Sequence, residues 1–122
     1  MTRSGTTTRA SAMTDLHCHI LPGLDDGAKT PETTLQMAKQ AVQSGVRQIV
    51  CTPHCTTGDP RLRTRLTRIK KAVEVLNYVF GQMQLPLTLY AGIELLCNDR
   101  LSETLERREF LTLAGSRYLL IE

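Results

Sequence analysis

The sequence predicts an α/β fold in which strands alternate with helices and assemble as a parallel sheet or barrel. Two observations carry that expectation. Short runs with strand character are separated by longer runs whose apolar residues recur at helical spacing. Every expected strand also ends in a histidine or a carboxylate, the pattern of folds whose chemistry gathers at the carboxyl ends of parallel strands. With 122 residues, 41% of them hydrophobic, the chain can build one core and gives no reason for a second domain.

The polar, threonine-rich stretch from Met1 to Ala12 is unlike a signal peptide and reads as a disordered leader, with Met13 as a candidate true start. Residues 13–122 form the domain. Asp15 to Ile20 reads as the first strand, and Leu21 to Lys29 as a long turn carrying Pro22, Gly23 and Gly27. Thr30-Pro31-Glu32 opens a helix, because threonine caps, proline fits the first helical position and an acidic group suits the positive end of the dipole. Leu35, Ala38, Ala41 and Val42 mark its apolar face, and Gly45 ends it. Arg47 to Cys51 is the second strand and Thr52 to Gly58 a loop.

Asp59-Pro60 opens a longer helix by the same logic. Its Leu62, Leu66, Ile69, Val73, Leu76 and Phe80 step by three and four residues into one stripe, with arginines and lysines on the other side. Gly81 and Pro86 bracket its end, and Leu87 to Ile93 is the third strand. A short helix is expected around Leu101 and Leu105, and Tyr118 to Ile121 is the fourth strand.

Composition removes several function classes. The net charge of +3 comes mostly from the run Arg61 to Lys71, which reads as a solvated helix face, and aromatics are scarce with no tryptophan, so no nucleic-acid surface is expected. No apolar run approaches the roughly 18 residues of a membrane span. Cys18, Cys51, Cys55 and Cys97 read as free thiols of a cytoplasmic chain.

The chemistry-bearing residues begin with Asp15-Leu16-His17-Cys18-His19. On a strand, His17 and His19 share one face, which starts a metal site. Alone, the pair is equally an incidental one, and Asp25-Asp26-Gly27 behind it is equally an ordinary turn. The convergence of strand ends favours a multi-metal site: the second strand runs into Thr52-Pro53-His54, the third ends at Glu94 and the fourth at Glu122, with Asp26 on the same rim. A competing pattern is His54-Cys55 followed by Arg61, which has the letters of a cysteine-phosphatase loop. It lacks the physics, since Pro60 has no N–H to offer a phosphate and Asp59 would repel one.

Asp-x-His-x-His, the stretch Ile20 to Ala28 (Ile-Leu-Pro-Gly-Leu-Asp-Asp-Gly-Ala), Thr-Pro-His, Gly-x-Glu and Leu-Ile-Glu together resemble the amino-terminal half of the polymerase-and-histidinol-phosphatase (PHP) superfamily. Within it they are most similar to the bacterial metal-dependent tyrosine-protein phosphatases of capsule and exopolysaccharide synthesis. The resemblance covers Met13 to Glu122 and implies the first half of a distorted (β/α)7 TIM-like barrel. It makes His17, His19, Asp26, His54, Glu94 and Glu122 ligands of a cluster of up to three ions, usually Mn2+, with Fe or Zn as the other ions suited to imidazole and carboxylate. The implied activity is hydrolysis of phosphotyrosine in proteins by metal-activated water, without a covalent enzyme intermediate. The implied substrate is a bacterial tyrosine kinase.

Two departures stand out. Cys55 occupies a position where the family commonly has a second histidine, and the family's later histidine, Asp-x-His pair and phosphate-binding arginines are absent, so a fragment is expected whose site is half built. A half-barrel would leave an open edge that invites pairing with another chain, a homo-oligomer included. The alternatives are a non-catalytic metal-binding half-barrel, a small-molecule phosphoesterase of the same superfamily and, last, a cysteine-dependent phosphatase.

Overall fold

The computed structural model describes residues 12–122. Except for Ala12, the expected leader lies outside the described residues. Among those residues the order is β1 (Met13–Cys18), α1 (Pro31–Gln43), β2 (Val46–Cys51), β3 (His54–Thr56), α2 (Leu62–Gln82), β4 (Thr88–Ala91), β5 (Glu94–Leu96), α3 (Leu101–Glu106), a 3-10 turn (Leu113–Gly115) and β6 (Leu120–Ile121).

The expected alternation is present, and all strand pairs are parallel. The expected four strands are six, in two sheets of order β1-β2-β4 and β3-β5-β6. The second and third expected strands appear as β2 and β4, and each is followed, across a break, by a short additional strand, β3 and β5. After Cys51 the N–H of Thr52 turns to the Cys18 carbonyl at 2.9 Å, while its hydroxyl accepts the Cys18 N–H at 3.0 Å. Pro53 then has no N–H with which to continue a ladder. After Ala91, Gly92 passes so close to β2 that an added Cβ would lie 3.0 Å from Val50 Cγ1 and 3.1 Å from the Cys51 carbonyl oxygen. Pairing resumes beyond both breaks, with His54 opposite Glu94 and Glu94 opposite Leu120. The expected loop from Thr52 to Gly58 thus contains β3, and β1 ends at Cys18, two residues earlier than expected.

The helices form for the reasons legible in the sequence. The Thr30 hydroxyl accepts the Thr33 N–H at 3.2 Å with Pro31 next to it, and Gly45 takes the left-handed conformation that closes α1. At α2 the expected opener Asp59 works from outside the helix: its carboxylate accepts the Arg61 N–H at 2.9 Å and its carbonyl the Leu62 N–H at 3.0 Å. Gly81 lies inside α2, and Gln84 adopts the positive φ that ends the segment, returning the Leu85 N–H to the Phe80 carbonyl. Leu62, Leu66, Ile69, Val73 and Phe80 are buried in one core with Ile20, Ala38, Ile49, Cys51 and Leu89. Asn77 locks α2 to β4 by accepting the Leu89 N–H at 2.8 Å and donating to the Leu89 carbonyl at 2.9 Å. No helix among the described residues is long and apolar enough to cross a membrane.

Candidate metal centre

The site lies at the seam between the two sheets. β1 carries His17, and His19 follows immediately, so their rings emerge together with the two Nε2 atoms 3.4 Å apart. The Asp15 carboxylate accepts the His17 N–H at 3.0 Å and holds the backbone that presents them. β3 begins at His54, whose ring stacks on that of His19 with centroids 4.6 Å apart. β5 begins at Glu94, and Glu122 follows β6.

All six residues singled out from the sequence converge. Glu94 Oε1 is 3.0 Å from His17 Nε2, 3.1 Å from His19 Nε2 and 3.5 Å from His54 Nδ1. His54 Nδ1 is also 3.5 Å from Glu122 Oε1, and its Nε2 is 3.6 Å from Asp26 Oδ1. The donors form three overlapping groups, namely His17, His19 and Glu94; His54, Glu94 and Glu122; and His19, Asp25, Asp26 and His54. Within each group the donor atoms lie within 4.8 Å of one another. Nitrogen and oxygen lone pairs gathered this closely repel one another unless positive charge sits among them, as protons on the imidazoles or as a cation. Imidazole and carboxylate together are the donor set of a borderline divalent ion. Burial works against ionisation of Glu94, yet the His17 hydrogen bond and the fields of His17, His54 and His19 outweigh it and hold the carboxyl below its usual range.

Two residues of the site were missed in the sequence. Asp25, its side chain only 6% exposed, lies beside His19, with Oδ2 2.8 Å from Nδ1. Its two oxygens also accept the N–H groups of Gly27 at 2.9 Å and His54 at 3.0 Å. Burial raises its pKa, but these hydrogen bonds and the charge of His19 more than offset the effect, so the carboxyl stays below its usual range. Arg65, on α2, donates from Nε to the His54 carbonyl at 2.9 Å and also donates to the Leu24 carbonyl, joining the two loops that carry ligands. In the sequence it is one arginine among several in a basic run. A signal was available at Asp25, which stands next to Asp26, but periodicity does not say which of two adjacent aspartates turns inward.

The loop after Cys55 does not present a phosphate cradle. Its N–H groups are used internally: Thr57 donates to Leu96 O, Gly58 to Thr104 Oγ1, Asp59 to Thr56 O, and Arg61 and Leu62 to Asp59. The Cys55 thiol is 3% exposed, and burial pushes its pKa up despite the nearby Arg65. A buried, protonated thiol is no nucleophile.

Comparison with known proteins identifies the family. Residues 13–122 match the model of the family described as "Capsular polysaccharide synthesis, CpsB/CapC". The chain belongs to the CpsB/CapC family. It is 34% identical over 110 residues to the tyrosine-protein phosphatase YwqE of Bacillus subtilis, a match that covers 90% of this chain and 42% of YwqE. The tyrosine-protein phosphatase CpsB of Streptococcus pneumoniae is 32% identical, with 90% of this chain and 44% of CpsB covered. A solved structure from work on YwqE and CpsB, described as "unique metal-dependent tyrosine phosphatases", superposes with a TM-score of 0.79 at 34% identity, covering 89% of this chain and 43% of that one. The chain thus spans less than half the length of these relatives.

Proposed function

We propose that this CpsB/CapC chain forms the first half of a distorted seven-unit PHP-type barrel and supplies His17, His19, Asp26, His54, Glu94 and Glu122 to a cluster of up to three divalent ions. The completed domain then hydrolyses phosphotyrosine in protein substrates, a bacterial tyrosine kinase of capsule or exopolysaccharide synthesis among them. The observation that carries the reading is Glu94, whose Oε1 lies within 3.5 Å of a nitrogen of each of the three histidines and belongs to two donor groups at once. A carboxylate shared in this way would help hold more than one ion. Mn2+ suits the mixed donor set, with Fe and Zn as substitutes.

Ions held there supply Lewis acidity toward a phosphoryl oxygen and lower the pKa of a bound water. The chain's own residues prepare for this. The three imidazoles offer ring nitrogens and the carboxylates oxygens, while Arg65 keeps the His54 and Leu24 backbones in place. The four unpaired cysteines support the accompanying proposal of a cytoplasmic location.

The experiment compares the 122-residue chain with a chain extended through the rest of the barrel. The short form is expected to bind Mn2+ with negligible turnover of a phosphotyrosine peptide. The extended form is expected to turn the peptide over until a chelator is added. An extended form that binds the metal and remains inactive would favour a non-catalytic metal-binding module instead.

A further inference from the structure

We propose that Asp25 is a positioning residue of the metal centre and not one of its ligands: it fixes the tautomer of His19 and ties the start of β3 to the end of β1. The inference rests on the metal-centre reading above. An ionised carboxylate only accepts hydrogen bonds, so the 2.8 Å contact with Asp25 Oδ2 requires the proton of a neutral His19 to sit on Nδ1. Nε2 is then left with its lone pair facing His17 Nε2 and Glu94 Oε1, where a cation would lie. The same Oδ2 accepts the His54 N–H at 3.0 Å, and Oδ1 accepts the Gly27 N–H at 2.9 Å. One side chain therefore sets the orientation of His19 and the backbone position of His54, whose rings stack.

The neighbouring aspartate differs in each respect. The Asp26 side chain is 81% exposed, and its nearest ionic partner is His54 Nε2 at 3.6 Å. Asp26 is free to move onto an ion, whereas Asp25 would have to give up hydrogen bonds that hold two ligand-bearing segments. Carboxylates that accept the outer N–H of a ligating histidine characteristically strengthen metal binding by about 10- to 100-fold.

The test uses the 122-residue chain and begins without metal. Nitrogen-15 NMR at a pH where the imidazoles are neutral should show His19 protonated on Nδ1. In Asp25→Ala no acceptor is left for the Nδ1 proton, so the preference for Nδ1 should be lost, and Mn2+ affinity measured by calorimetry should fall about 10- to 100-fold with the number of ions unchanged. Asp26→Asn should leave the tautomer alone and remove an ion. A wild-type His19 protonated on Nε2 would overturn the proposal without any variant having to fold. So would an Asp25→Ala chain that loses a whole ion while its tautomer stays on Nδ1. If the wild-type chain bound no Mn2+, the metal-centre reading would fail, while the metal-free spectrum would still decide what Asp25 does to His19.

Discussion

The two sheets use one construction for different ends. In β1-β2-β4 the strands run four to six residues, and Ile49, Cys51 and Leu89 are packed into the core that α1 and α2 complete. In β3-β5-β6 the strands are two or three residues long, and His54 and Glu94 stand directly opposite each other in the ladder. The first sheet buries Ile49, Cys51 and Leu89 and lends His17 to the site; the second also buries Cys55 and Leu95, but turns His54 and Glu94 toward one another at the seam. These polar contacts bury little apolar area, so the stability of the fold rests on the core that Ile49, Cys51 and Leu89 share with the helices.

That division is broken most severely from the first sheet and its supports. Ile49→Ala, which empties a fully packed position, should cost about 2–5 kcal/mol in urea denaturation. Gly27→Ala should be comparable at about 2–4 kcal/mol, because the new methyl would run into the carbonyl and Cβ of His19. A smaller stability effect is expected from Glu94→Gln, which leaves the core intact but should weaken Mn2+ binding by about 100-fold or more. If Glu94→Gln unfolded the chain as readily as Ile49→Ala, the separation of roles would be wrong.

Acid titration sharpens the comparison. Glu94 and Asp25 both have folded pKa values below their ordinary 4.5 and 3.8. Each therefore adds stability above its ordinary value, and that stability is lost as pH falls through the lower, folded value. The metal-free chain should lose stability as pH drops below about 4.5, and Glu94→Gln or Asp25→Asn should flatten that limb. A wild-type profile already flat from pH 5 to 3 would contradict the picture.

The smallest effect concerns thiols. Burial pushes the pKa of Cys51, at the end of β2, far up, and raises that of Cys55 in β3. Both should react with iodoacetamide at pH 8 about tenfold or more slowly than in the unfolded chain. Cys55 should be modified before Cys51, because a three-residue strand opens locally with less cost. The reverse order would place the looser structure in the first sheet.

The stripe of α2, the Thr30-Pro31 start of α1 and the parallel alternation were legible because each is written in local spacing or cap chemistry. The breaks at Thr52-Pro53 and Gly92-Ile93 were not. They depend on Thr52 finding the backbone of Cys18 and on Gly92 approaching Val50, contacts between segments far apart in the chain. Arg65 escaped for the same reason: its partners are the carbonyls of His54 and Leu24, which no spacing within α2 encodes.

The sequence by itself determined which side chains the fold could gather, because each expected strand end bears a histidine or a carboxylate and a parallel fold brings such ends to one rim. Only the tertiary structure decided how they are arranged. It made Glu94 the shared carboxylate, turned Asp25 inward against His19 and left Asp26 outside. The physical reason is that a side chain's type is local, whereas its partner and its burial are set by where the rest of the chain packs.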